Sequence, residues 1–259
     1  MSKHLKMKKI IIFNFKSSVL NKTTRQEIYK IFLSANPIIY QKNNIILAPA
    51  SYYFFEFQEK LKNIKNLNYA GQNVFWLNKI LATGETPPLM LKDLSIKYAL
   101  IGHSERKEFL KEDEKMINLK LKACFQTKIM PIICFGEKEI LSDFQVKKII
   151  FSQLNQIFQG INLKQEKFLL AYEPVWAIGT KKTPSQEEII NRIKMIRFWL
   201  ARRFNEKISH HTPILYGGSV SAANIENFLS TPNLNGVLIG SQSAQKKSLE
   251  KILSKIVKS

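Results

Sequence analysis

The chain has 259 residues, 45% of them hydrophobic and 23% charged, the balance of an ordinary globular protein. Ten Gly and nine Pro exclude a collagenous or low-complexity chain, and no apolar run approaches the ~18–20 residues of a membrane-spanning helix. Forty Lys plus Arg against twenty Asp plus Glu give a formal net charge of +20; the lysines run from Lys3 to Lys258, so the charge reads as a solvated basic surface that draws in small anions, with no specific nucleic acid and no membrane as partner.

Taken in chain order, eight short apolar runs stand out, at residues 9–15, 45–49, 69–74, 98–103, 130–136, 168–175, 213–218 and 236–240. Each is bounded by charge, Gly, Pro or Asn, the pattern of short strands buried on both faces of a parallel sheet. The first eight residues form a basic tail, expected to be flexible, and Lys16 interrupts the following apolar segment too early for a signal peptide. Helical spacing follows over 24–33 and 54–61, and Pro87 and Pro88 leave room only for a short helix over 90–94. A long helix is expected over 186–204, with Ile189, Ile193, Ile196 and Leu200 on one stripe, Arg192 and Lys194 off it, and a capping box from Ser185 to Glu188. The last helix, over 244–257, repeats the pattern with Leu249, Ile252 and Ile256. His210 and His211 fall in what reads as a polar loop, and Cys124 and Cys134 read as buried thiols in a reducing cytoplasm. Eight strand signals, each followed by a helix signal and without a linker, predict a single domain over 1–259, a (β/α)8 barrel of eight parallel strands surrounded by helices. The competing open doubly wound sheet would carry a Gly-rich dinucleotide turn, and none occurs.

A barrel of this kind does its chemistry at the C-terminal ends of its strands. Asn14 and Lys16 end the first strand, His103-Ser-Glu-Arg106 the fourth and Glu173 the sixth, while Gly217-Gly-Ser219 and Gly240-Ser241 close the seventh and eighth. Glycine turns at those last two positions suit phosphate. One Glu, one His and one Lys at a single mouth suit proton abstraction beside a carbonyl: Glu173 as base, His103 as donor to the oxygen, Lys16 offsetting oxyanion charge. The residues by themselves point to isomerisation or enolisation of a phosphorylated carbonyl compound, without choosing among sugar phosphates.

The motifs Tyr172-Glu-Pro-Val-Trp-Ala-Ile-Gly-Thr180, Ile101-Gly-His-Ser-Glu-Arg106 and Leu215-Tyr-Gly-Gly-Ser-Val220 resemble those of triosephosphate isomerases. Asn14-Phe-Lys16, Gly71-Gln-Asn73, Thr83-Gly-Glu85 and Cys134-Phe-Gly-Glu137 support the match, which runs from Asn14 to Ser243. The resemblance implies reversible conversion of dihydroxyacetone phosphate and D-glyceraldehyde 3-phosphate through an enediol, without metal or cofactor, in the cytoplasm. It implies Glu173 as base, His103 as neutral electrophile, and Lys16 and Asn14 against substrate. Glu105, Ser104 and Cys134 would stand behind them, and Gly179, Ser219, Gly240 and Ser241 would hold phosphate. Pro174, Val175, Trp176, Ala177, Ile178, Gly179, Thr180, Lys181, Lys182, Thr183 and Pro184 would form a closing lid, with residues 177–182 as its tip. The loop from Thr83 to Pro88 would join a homodimer, although Ile80 and Leu81 are unusual there.

The chain departs from the family pattern at Phe13, Ser17, Ser18, Lys181, Pro184 and Ser241, and no departure removes a catalytic group. In relatives a Tyr hydroxyl accepts an N–H from the lid's C-terminal hinge; here the Tyr is Tyr216 and the aligned donor is Pro184, which has no N–H. That latch is expected to be missing, while Ser219 could still meet the backbone N–H of Lys181. Two other readings stay open on the sequence: another phosphosugar isomerase on the same fold, or a retired barrel binding nucleic acid through its basic surface.

Overall fold

The computed structural model describes residues 8–18, 21–77, 82–163, 166–180 and 182–258. The tail residues 1–7 with His4, and Ile80, Leu81 and Lys181, lie outside them.

Alternation builds the first strand. In β1 (Lys9–Asn14) Ile10 and Ile12 pack inside the barrel, while Ile11 and Phe13 pack outward under the helices. Phe13 meets Phe32 edge-on at 5.5 Å, so its bulk is absorbed by the outer core and leaves the barrel mouth untouched. The elements that follow are α1 (Lys22–Ser34), α2 (Ile38–Lys42), β2 (Asn43–Ala48), α3 (Phe54–Lys60), β3 (Leu67–Gly71), α4 (Pro88–Asp93), β4 (Tyr98–Ile101), α5 (Ser104–Phe109) and α6 (Glu114–Thr127). Then come β5 (Met130–Phe135), α7 (Asp143–Ile157), β6 (Leu169–Tyr172), α8 (Gln186–Arg203), α9 (Glu206–His211), β7 (Ile214–Tyr216), α10 (Ile225–Ser230), β8 (Gly236–Ile239) and α11 (Lys246–Lys258). All strand pairs are parallel, each strand pairs with the next, and β1 pairs with β8 to close the barrel. This is the expected (β/α)8 barrel.

Two apolar layers hold it. A small inner set, including Ile12, Ile46, Leu100, Ile132, Leu169 and Leu238, fills the barrel, and a larger shell lies between strands and helices. Truncating one such buried side chain to Ala costs about 2–5 kcal/mol.

The long helix matches its expected stripe, and both halves of its capping box form between Ser185 and Glu188. Arg192 departs from expectation. It is buried on α8 because its guanidinium reaches Asp143 on α7 at 2.6 Å, a contact no helical period encodes. His210 and His211 likewise sit in the last turn of α9, not in a loop; Asn205 caps that helix by accepting the Ile208 N–H.

Candidate active site

The inward period of β1 runs Ile10, Ile12, Asn14, and that of β6 runs Leu169, Ala171, Glu173. Continuing each alternation past the apolar layers brings a polar side chain to the C-terminal mouth. Asn14 is buried there, and its Oδ1 accepts the Lys16 N–H at 3.0 Å, which turns the chain back over the mouth. Lys16 extends Nζ to Glu105 Oε1 at 2.5 Å. Its stem crosses Gly240 at the end of β8, where an added Cβ would come within 3.0 Å of Lys16 Cε.

His103 caps α5. Its Nδ1 accepts the Glu105 N–H at 3.2 Å. A ring nitrogen that accepts a backbone N–H carries no proton, so the ring is neutral with its hydrogen on Nε2. That Nε2 faces Glu173 Oε1 at 3.8 Å. Glu173 is 1% exposed; Oε2 accepts the Ser104 N–H at 3.2 Å, and Oε1 is buried with no hydrogen-bond partner among the described residues. Gly217 makes room for it, since a Cβ there would sit 2.8 Å from Glu173 Cγ. Burial, and next the Glu173 carboxylate, push the Cys134 thiol well above its ordinary range, so Cys134 stays protonated behind the site.

Asn14, Lys16, His103 and Glu105 line a crevice of about 490 Å³ that also takes in Gly84, Glu85, Phe109 and Leu110. A larger cavity, about 600 Å³, opens at the opposite end of the barrel beside Ile10, Tyr98 and Met130, and none of the expected site residues lines it.

After Glu173 the chain leaves the barrel. Trp176 donates its indole N–H to Glu137 Oε1 at 3.0 Å, and the same oxygen accepts the Tyr172 hydroxyl at 2.8 Å. Ser219 Oγ accepts the Gly179 N–H at 3.1 Å and donates to the Ala177 carbonyl at 2.5 Å. The serine thus meets the segment after Glu173 at Gly179; the Lys181 N–H expected from the sequence lies outside the described residues. Tyr216 Oη is buried without a hydrogen-bond partner among the described residues. Ser241 opens a 3-10 turn after Gly240, and it is not among the residues with positive φ, so losing glycine there imposes no left-handed strain.

Sequence reading missed Glu112 and Lys120, a buried ion pair at 2.8 Å beneath the mouth, and gave no role to Glu137 or Gln72, which were legible only as letters inside supporting motifs.

A family model described as triosephosphate isomerase matches residues 9–256. Among similar proteins, the triosephosphate isomerase of Mycoplasma capricolum is 36% identical over 239 residues, 91% of this chain and 94% of the relative. That of Dictyoglomus turgidum is 36% identical over 81% of this chain and 84% of its own length, and that of Lactobacillus delbrueckii subsp. lactis 39% over 69% and 71%. With a closed eight-stranded parallel barrel and Lys, His and Glu gathered at its C-terminal mouth, these matches settle the identity: the chain belongs to the triosephosphate isomerase family and is an intramolecular isomerase of triose phosphate.

Proposed function

We propose that Glu173, His103 and Lys16 carry the interconversion of dihydroxyacetone phosphate and D-glyceraldehyde 3-phosphate, in the cytoplasm, with the whole chain working as one barrel domain. The observation that carries this reading is the neutral His103 ring between Lys16 and Glu173, its Nε2–H turned to the site by the Glu105 N–H. Glu173 exchanges the Ser104 N–H for the substrate and takes a proton from the carbon beside the carbonyl. His103 Nε2–H hydrogen-bonds the oxygen that gains charge, and the Lys16 ammonium offsets it. Glu173 returns the proton to the neighbouring carbon while the hydroxyl proton shifts through His103. Substrate and product are isomers, so no electron leaves and no redox partner is needed. Triosephosphate isomerases are themselves the standard illustration of this Glu and neutral His pairing. Ser219, Gly240, Ser241 and the Gly179 backbone take the phosphate, and Asn14 borders the reacting end. The segment over 174–184 closes over the enediolate and excludes water, which protects it from losing phosphate.

Glu173→Gln tests the reading. kcat is expected to fall by about 10²–10⁴, the usual scale of general-base catalysis, with a much smaller change in KM. Retention of more than a tenth of the activity would mean that Glu173 is not the base.

A homodimer is the second part of the proposal. Phe109 is 70% and Leu110 60% exposed, and both border the crevice that holds Lys16 and His103. Tyr52 is 91% exposed, next to Ser51 of the same crevice. Apolar side chains at the rim of a charged site call for a cover, and a second copy's loop from Thr83 to Pro88 fits one. Light scattering at micromolar concentration should give twice the chain mass; a monomer with full activity would remove the proposal.

A further inference from the structure

We propose that Gln72 is a positioning residue that holds Lys16 in its working conformation. The inference rests on Lys16 being a catalytic group. Lys16 has φ of 53°, in the left-handed region that disfavours any side chain with a Cβ. Three contacts keep it there. Its N–H is taken by Asn14 Oδ1 at 3.0 Å, its Nζ by Glu105 at 2.5 Å, and its carbonyl accepts Gln72 Nε2 at 2.9 Å. The same Nε2 donates to the Ala48 carbonyl at 2.8 Å. One amide therefore joins the last residue of β2 to the segments that follow β1 and β3, and both of its hydrogens are in use. Without those donors the Lys16 carbonyl is free to rotate, the backbone relaxes from the left-handed region, and the stem leaves its track over Gly240.

The next residue, Asn73, is anchored from behind. Asn73 Oδ1 accepts Lys120 Nζ at 2.7 Å, Lys120 pairs with Glu112 at 2.8 Å, and Glu112 pairs with Arg106 at 2.6 Å. The side chains of Lys120 and Glu112 are each 2% exposed, so the pair is held in a dry interior where losing one partner is costly. Arg106 follows Glu105 on α5, and Glu105 returns to Lys16. The contacts close a ring: Lys16, Glu105, Arg106, Glu112, Lys120, Asn73, Gln72 and back to Lys16. The ring fixes the ammonium relative to α5 and hence to His103, the cap of that helix. Gln72 is the member that grips the strained residue directly.

The test is a double-mutant cycle of Gln72→Met with Lys16→Met, read as kcat and KM with stability followed by thermal unfolding. Methionine keeps the length of Gln72 and removes both donors. On the native background kcat/KM should fall about 5- to 150-fold, the factor equivalent to releasing backbone strain of about 1–3 kcal/mol. On the Lys16→Met background the same change should cost less than about threefold, because residues that act through one another are not additive. Gln72→Glu, which has the same shape but sets a carboxylate against two carbonyl oxygens, is the second variant and should lose at least as much. Equal losses from Gln72→Met on both backgrounds would show a general structural role and overturn the inference, as would native kcat/KM in both Gln72 variants. Native activity in Lys16→Met would instead overturn the assignment of Lys16, and the inference with it.

Discussion

Tyr216→Phe separates the lid chemistry of this chain from the family pattern. Tyr216 Oη is buried, and no described residue offers it a hydrogen bond. It lies against the backbone of Gly218, where an added Cβ would come within 2.1 Å of it. The ring stacks on Phe228 at 4.3 Å with 28° between planes, and phenylalanine keeps that contact whole. An unsatisfied buried hydroxyl costs about 1–3 kcal/mol. Removing it should therefore stabilise the fold by up to that amount, or raise Tm by about 2–4 °C for each kcal/mol in a chain of roughly this size. The catalytic consequence is set by Pro184, which has no N–H to give the hydroxyl when the lid closes. A lost hydrogen bond of about 0.5–1.5 kcal/mol would lower the closed population roughly 2- to 13-fold; with no bond to lose, kcat/KM should change by less than about threefold. The measurements are a thermal unfolding curve and a coupled isomerase assay on both proteins. A lower Tm together with a tenfold or larger loss of kcat/KM would refute the reasoning, because some lid donor, Thr183 being the nearest N–H before the proline, would then have to reach Tyr216.

Ser219→Ala should be the more damaging change: it removes both hydrogen bonds to the lid, at Gly179 and Ala177, and kcat/KM should fall about 5- to 150-fold from about 1–3 kcal/mol; a loss below threefold would show that the serine does not hold the lid. Burial pushes the Cys124 thiol up to about 12 from its ordinary 9. Its folded pKa is raised, so its contribution to stability is complete below pH 9 and is lost as pH rises from 9 towards 12; at pH 10 the native protein should have lost on the order of 1 kcal/mol through this thiol, a loss that Cys124→Ala should not show in urea unfolding compared at pH 8 and 10. If the +20 charge steers phosphorylated substrate, kcat/KM should decline as salt rises through about 0.15 M, where the screening length is about 8 Å; a flat profile with a weakly binding salt would leave the charge without a catalytic role.

What the sequence determined by itself was whatever has a short period or a fixed local offset. The alternation in β1 and β6 placed Asn14 and Glu173 facing the mouth because successive strand residues point to opposite sides. Ser185 and Glu188 announced a helix start because a cap needs only four consecutive residues. The motifs around His103, Glu173 and Ser219 were legible because each is contiguous, and strand ends bring them to one face. Tertiary structure alone decided the contacts between residues far apart in the chain. Gln72 reaches Lys16 across 56 positions and Lys120 reaches Asn73 across 47, and nothing in the neighbourhood of either residue signals its partner. Arg192 read as an outward residue of α8 until Asp143 on α7 drew it inward. The tautomer of His103 likewise depends on how α5 turns one backbone N–H towards the ring. Period and capping are properties of the local backbone and survive in one dimension, whereas a polar contact is worth forming only where folding has excluded water, and which groups share that dry space is fixed when the barrel closes.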